Sequence, residues 1–200
     1  MYHFIKRIFD FIFSFLFVVL CSPIFLIISI CIKLDSEGPV FFKQQRVGKN
    51  GAPLQIYKFR TMVINAEELI ASFTPEQRKE WEENYKLKDD PRITRVGKFL
   101  RKTSLDELPQ LVSVLKGEMS FVGPRPVVEE ELEWYGEDRA SLLSVKPGLT
   151  GWWAVNGRSE VSYPSRCDLE MYYVRNASLL LDIKILFGTV KAVFFQKGAI

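Results

Sequence analysis

The sequence holds a single histidine, His3, near the start of the chain. A Ser-His or Cys-His nucleophilic couple therefore has no base, and any chemistry must run on carboxylates, cations or a metal ion. Cysteine is scarce as well. Cys21, Cys31 and Cys167 show no metal-ligand spacing and two of them lie inside an apolar run, which argues against a zinc site or disulfide framework and for a reducing setting. Neither a P-loop nor a GxGxxG motif is present, so ATP and dinucleotide use have no support. Net charge is only +3. That is a thin basis for binding nucleic acid, which is not expected as a partner, and suits a basic face that meets anionic lipid or phosphate.

What the chain does have is apolar surface: 48% of its 200 residues are apolar and 14% aromatic, with sixteen phenylalanines. Such a composition is heavy for a small soluble domain and ordinary for one that touches lipid. The length suits one catalytic unit with appendages. The excess collects in residues 11–32 and 179–195. The first run carries no formal charge over about 22 residues, enough to span a bilayer. Lys33, Leu34 and Asp35 follow it without a small-residue cleavage pattern, which excludes a secretory signal. Pro23 withdraws the donor for the Val19 carbonyl and pushes Ser22 away from helical geometry, so a bend is expected there. Each arm would hold about 11 residues, roughly 17 Å of helix against a hydrocarbon core of roughly 30 Å. A re-entrant helix that dips in and returns satisfies this arithmetic, with the Ser22 hydroxyl available to the freed carbonyl; a kinked spanning helix in a bundle satisfies it too. Cations flank both ends, so the positive-inside rule does not separate them. The expected division is a membrane helix over residues 1–35 and a catalytic domain over residues 36–200.

The expected fold class is α+β, mostly helical, with a small β-hairpin and interfacial amphipathic helices. Residues 40–46 and 54–59 are rich in strand formers and are joined by Gly48-Lys49-Asn50-Gly51, a hairpin turn signal. Residues 65–88 read as a charged, solvated helix broken at Thr74-Pro75, where Thr74 can cap and Pro75 can open the next turn. Leu108, Leu111, Val112 and Leu115 fall at helical spacing within residues 106–116, with Gly117 as the stop. Residues 120–122 read as a strand, 151–155 as another, and Tyr163-Pro164 as the opening of a helix through Tyr173. Residues 179–195 form a last helix whose Asp182, Lys184 and Lys191 argue against spanning and for an interfacial position or packing under the core.

The window Arg101-Lys102-Thr103-Ser104-Leu105-Asp106-Glu107-Leu108-Pro109 carries the candidate chemistry. Ser104 and Glu107 match a capping box, and acids suit a helix N-terminus whatever else they do. With Ser104 as the cap, however, Pro109 would lack a donor needed inside the helix. A start at Asp106 puts Pro109 in the first turn and leaves Asp106 and Glu107 at an open helix mouth. Adjacent carboxylates after two cations suit phosphate chemistry with a divalent metal, one acid holding metal while the other attacks phosphorus. A carboxylate approaching a diphosphate meets repulsion of about 4 kcal/mol per charge pair at 4 Å and an effective dielectric near 20, which cations must cancel. Lys58, Arg60, Arg125 and Arg158 are further cations, each of which can equally be a solvated surface charge. Arg125 stands out because Pro124 and Pro126 restrict its backbone and hold a planar donor fork in place.

These residues resemble the bacterial sugar transferases, the monotopic phosphoglycosyl transferases. The similarity runs through Lys6-Arg7, Ser22-Pro23, Gly38-Pro39-Val40-Phe41-Phe42, Tyr57-Lys58-Phe59-Arg60-Thr61-Met62, residues 103–111, Gly123-Pro124-Arg125-Pro126, Pro147-Gly148-Leu149-Thr150-Gly151 and Asn156-Gly157-Arg158. The resemblance implies a two-step transfer: Asp106 attacks the sugar-linked phosphate of a UDP-sugar and releases UMP, and a polyprenyl (undecaprenyl) phosphate then takes the sugar-phosphate. It further implies that Glu107 holds Mg2+, that Arg101, Arg125 and Arg158 meet phosphate groups, and that Ser22-Pro23 bends a re-entrant helix. The implied setting is the cytoplasmic face of the bacterial inner membrane, at the first membrane step of glycoconjugate or exopolysaccharide synthesis. Residues 84–95 and Gly151-Trp152-Trp153 look most like the branch that handles hexose-1-phosphates. Long members of that branch carry an additional N-terminal membrane region, which this sequence does not contain, and Trp153 and Ala154 depart from the branch pattern. A tethered scaffold that merely caps a helix with Asp106-Glu107, or a metal-dependent diphosphate hydrolase, are the rival readings. The sugar and the oligomeric state, a homodimer included, are left open.

Overall fold

The computed structural model describes residues 1–84, 87, 89–157 and 161–194. Helix α1 (Tyr2–Asp35) has 34 residues, about 51 Å at 1.5 Å per residue, and is long and apolar enough to cross a membrane. Helical backbone continues through Pro23. The Val19 carbonyl that proline cannot serve accepts from Ser22 Oγ at 2.8 Å, so the side chain replaces the missing backbone donor. Both end segments of α1 dock on the rest of the protein. At the start, Lys6 Nζ reaches Asp182 at 2.8 Å and Arg7 donates to the Val114 and Leu115 carbonyls, both at 2.8 Å. At the far end, Asp35 accepts from the Val96 N–H at 2.9 Å, and Ile28 and Ile32 bury against Phe59 and Leu100. Each of these buried side chains is worth about 2 kcal/mol relative to exposure.

Strands β1 (Phe41–Val47) and β2 (Pro53–Phe59) form the expected antiparallel hairpin, pairing Phe41 with Phe59 and Val47 with Pro53. Its loop turns through Asn50 and Gly51, both at positive φ (58° and 77°), the conformation that Asn-Gly favours. The charged stretch after β2 is less helical than expected: residues 65–72 make turns and a short 3-10 helix. Helix α2 (Pro75–Asn84) then opens at a reciprocal cap, with Gln77 N–H on Thr74 Oγ1 at 3.2 Å and Thr74 N–H on Gln77 Oε1 at 3.0 Å.

Helix α3 (Arg95–Thr103) was not expected from the sequence. Thr94 caps it by accepting from the Gly97 N–H at 3.0 Å. Gly97 seats the helix directly on the Thr61 carbonyl, where any Cβ would collide. The chain then reverses at Ser104 (φ 57°), a left-handed conformation uncommon outside glycine. The helix expected over residues 106–116 is two pieces, a 3-10 turn (Leu105–Gln110) and helix α4 (Leu111–Lys116). Pro109, inside the 3-10 turn, cannot donate to the residues before it, and the regular α-pattern starts only beyond it. Gly117 (φ 85°) ends α4 as foreseen.

Strand β3 (Ser120–Val122) pairs in parallel with β4 (Gly148–Thr150). Between them run the Pro-Arg-Pro turn, a 3-10 stretch (Glu130–Asp138) and helix α5 (Arg139–Leu143). Residues 151–155 are not a strand. Helix α6 (Trp152–Val155) forms instead, because β4 stops with its three-residue partner and Trp152 turns to stack on Tyr172, ring centroids 4.9 Å apart. Helix α7 (Ser165–Asn176) supplies Met171 and Tyr173 to the core, and α8 (Leu179–Phe194) closes the fold. One face of α8 packs through Ile185 and buries Asp182; Leu180, Ile183, Phe187 and Val190 on the other are exposed. Packing and an apolar outer surface thus coexist in one helix. Residue 195, the expected end of this helix, lies outside the described residues.

Candidate active site

Asp106 and Glu107 sit on the 3-10 turn that follows the Ser104 reversal. Ser104 therefore serves as the C-cap of α3, while its carbonyl accepts the Glu107 N–H at 3.4 Å. The turn is held from behind. Leu105 and Leu108 pack against the cluster of Phe59 and Leu100, while buried Leu111 begins α4. Arg7 fixes the opposite end of α4 by capping its last carbonyls, so α1 also holds the helix that continues from the acidic turn.

Lys58, on β2, places its Nζ 2.7 Å from Glu107 Oε1. Among the described residues no ion pair reaches Asp106. Burial, and next the charge of Glu107, push the Asp106 carboxyl up to about 6; Lys58 and Arg101 pull it back. Arg101 lies behind, its Nε on Thr61 Oγ1 at 2.9 Å; burial disfavours its charged form, and the neighbouring Asp106 and Asp90 offset part of that. Asp90 is itself clasped by Arg92 through two contacts of 2.9 and 2.7 Å.

Glu107 and Lys58 open onto a cleft that also presents Arg46, Gln110, Arg125 and Trp153. Arg125 projects from the Pro124-Pro126 turn over the Trp153 ring, 5.7 Å from its centroid. In that triplet only Arg125 has a backbone N–H, and it donates at 2.8 Å to Glu170, a fully buried carboxyl that burial pushes up to about 8. Gly148 allows the turn to lie against β4, since a Cβ there would strike the Gly123 backbone.

The structure brings Lys58, Glu107 and Arg125 to one cleft and sets Asp106 and Arg101 beside it. Arg60 goes elsewhere. Its guanidinium donates to the Pro39 carbonyl at 2.6 Å and to Ser36 Oγ and carbonyl at 2.8 and 2.9 Å, so it ties the end of α1 to β2 instead of facing a substrate. Arg158 lies outside the described residues. Arg46 was missed as a cleft cation, because an arginine within a strand reads as an ordinary charge until its neighbours are known. Among the described residues no group of three or more Asp, Glu, His or Cys gathers. The Asp106-Glu107 pair nevertheless fits magnesium, which takes one or two carboxylates and completes its shell with water and substrate phosphate oxygens.

The family model described as bacterial sugar transferase matches residues 1–196. The chain is 48% identical to the undecaprenyl-phosphate galactose phosphotransferase of Salmonella typhimurium over 98% of its own length and 42% of the relative's. It is 45% identical to the exopolysaccharide production protein ExoY of Sinorhizobium fredii, covering 97% of this chain and 87% of that one. Against the UDP-glucose:undecaprenyl-phosphate glucose-1-phosphate transferase of Escherichia coli the identity is 39%, over 98% of this chain and 41% of the other. The chain thus spans less than half of two of these relatives and most of the third. With the motif residues 103–111 and 123–126 converging on one acidic, cation-lined cleft, the chain belongs to the bacterial sugar transferase family.

Proposed function

We propose that this chain transfers a hexose-1-phosphate from a UDP-sugar to polyprenyl phosphate through a covalent intermediate on Asp106. The observation that carries the reading is the division of labour in the acidic pair: Lys58 engages Glu107, while the neighbouring Asp106 carboxyl is desolvated and outside any described ion pair. A desolvated carboxylate is a better nucleophile than a solvated one, and at pH 7 a group titrating near 6 is still about 90% ionised. An Asp106 oxygen attacks the phosphorus bearing the sugar, the bond to the UMP phosphate oxygen breaks, and UMP leaves with that electron pair. A polyprenyl phosphate oxygen then attacks the same phosphorus and Asp106 departs as carboxylate, leaving a polyprenyl diphosphate sugar.

Arg46, Arg101 and Arg125 are assigned to phosphate oxygens, the planar donors that such oxygens favour. Glu107 would hold Mg2+, whose charge would offset repulsion between carboxylate and diphosphate. The names of the relatives support the donor and acceptor classes. Docking of both ends of α1 on one body supports a re-entrant membrane helix over a spanning one, which would carry one end across roughly 30 Å of hydrocarbon, away from that body; the cytoplasmic face is assigned as part of the same proposal. A lipid acceptor stays at the interface, and so must the cleft.

The test is UMP release by the full chain in detergent or nanodiscs, with UDP-hexoses, undecaprenyl phosphate and Mg2+. Expected are UMP release at no more than one equivalent per chain when lipid is withheld, with the sugar label staying on protein, and continued turnover only when lipid phosphate is added. Continued UMP turnover that ignores lipid would mark a hydrolase, and no release with any donor would leave a scaffold.

A further inference from the structure

Two arginines share the cleft, and the fold has to keep them together against their mutual repulsion. Arg46 is 8% exposed. Burial, then the charge of Arg125, disfavour its charged form, while Glu131 and Glu107 favour it. Its donors are divided, with Nη2 on Gln44 Oε1 at 2.8 Å and Nη1 at 3.4 Å from Glu131 Oε2. That same Glu131 oxygen accepts the Val128 N–H at 3.0 Å. Next to Arg46, Val47 N donates to the carbonyl of Val127, the residue before Val128, at 2.8 Å. Strand β1 is therefore joined to the segment after Pro126 twice, once through backbone and once through a carboxylate that also faces a cleft cation. Glu131 rides on a 3-10 stretch whose Leu132 and Tyr135 are buried with Val127, and Val47 packs on the same cluster.

We infer that Glu131 is a positioning residue for donor binding: its carboxylate fixes the Arg46 guanidinium relative to the Arg125 turn, so that two cations meet the donor diphosphate at a set separation. The inference rests on the UDP-sugar reading of the cleft. At 3.4 Å the Arg46 contact is long beside the 2.7–2.9 Å usual for a charge-assisted bond. The arginine is tethered without being fully engaged, and keeps donors for phosphate. The plainer reading makes Glu131 a local cap, since its own N–H also returns to the Val128 carbonyl at 3.1 Å. A cap would act on stability alone. A positioning residue acts through Arg46.

The two are separated by UMP-release kinetics of the full chain in nanodiscs for Glu131→Ala, Glu131→Gln, Arg46→Ala and the Glu131→Ala/Arg46→Ala pair. Glu131→Ala should raise the KM for UDP-sugar about tenfold with kcat changed less than about threefold. Glu131→Gln, which keeps an acceptor for Val128 and loses the charge, should fall between it and the parent. In the Arg46→Ala background the Glu131 change should add less than about twofold, because the residue it acts through is gone. Losses that multiply, a loss confined to kcat, or an Arg46→Ala variant with unchanged KM would each overturn the inference. A parent chain that releases no UMP from any donor would instead remove the functional reading beneath it.

Discussion

Lys58 Nζ lies 2.7 Å from Glu107 Oε1, so the ammonium at the acidic turn neutralises the acid beside the proposed nucleophile and not the nucleophile itself. Asp106 is left to a balance of burial and the Glu107 charge against Lys58 and Arg101, with burial the largest influence. That balance leads to measurable consequences for rate, pH dependence and stability.

Asp106 must be ionised to attack phosphorus, and its carboxyl titrates near 6. In the free enzyme kcat/KM should therefore fall tenfold per pH unit below about 6 and level off above it. Lys58→Met removes a cation that favours the ionised form and frees the Glu107 charge, so the acid limb should move to higher pH. The pH profile of UMP release, at saturating Mg2+, measures both. An acid limb that stays in place in the variant would show that Lys58 does not govern Asp106.

Asp106→Asn should cost on the order of 10³-fold or more in UMP release and abolish the trapped sugar label. It should not weaken the fold. A carboxyl whose folded pKa is raised destabilises the native state at pH values above its ordinary range, because the unfolded chain ionises more readily. Removing that charge should stabilise by on the order of 1 kcal/mol at pH 7, after discounting for partial exposure. Thermal unfolding of the two proteins at pH 7 decides it, and a variant that is both inactive and clearly less stable would point to a structural role for Asp106.

Local chemistry made parts of this architecture legible in the sequence. Asn50-Gly51 announced the hairpin, Thr74-x-x-Gln77 sits at the foreseen cap, and Gly117 closes α4. Helix α3 stayed hidden because cations outnumber its buried positions, and what holds it is docking on α1 and Thr61, a tertiary cause. Trp152–Val155 carries strand-forming residues but coils, since its neighbours offer a ring to stack on and no further ladder. At the site, Lys58 and Arg60 look alike in the sequence. The strand ends at Phe59, and Arg60 turns to the end of α1. Arg46, Glu131 and Glu170 are visible only once β1, the Pro-Arg-Pro turn and α7 meet.

The anchoring of α1 depends on Asp182, which is 6% exposed and accepts from Lys6 at 2.8 Å, Tyr173 at 2.7 Å and Tyr2 at 3.0 Å. Asp182→Asn keeps an acceptor but leaves the Lys6 ammonium half-buried without its counter-charge. The expected cost is about 3 kcal/mol of stability. Lys6→Met in the same chain should recover much of it, because the unpaired charge is then gone too. Thermal unfolding of both single variants and the double variant measures this, and single losses that simply add in the double would mean that the pair carries no coupling.

Glu170 offers a stability test separate from catalysis. Burial raises its carboxyl to about 8, against an ordinary value near 4.3, so the folded state holds the group neutral where the unfolded chain ionises it. A raised acid contributes most at low pH, and the contribution is lost progressively as pH climbs from the unfolded value through the folded one. Stability should therefore decline as pH rises from 5 to 8 on account of this group. Glu170→Gln keeps an oxygen to accept the Arg125 N–H and has nothing to ionise, so its stability should decline less over that range. Denaturant unfolding at pH 5, 6.5 and 8 compares the slopes. If parent and variant run parallel, Glu170 is ionised in the native protein at neutral pH, and the Pro-Arg-Pro turn is held by a charged carboxylate instead of a neutral one.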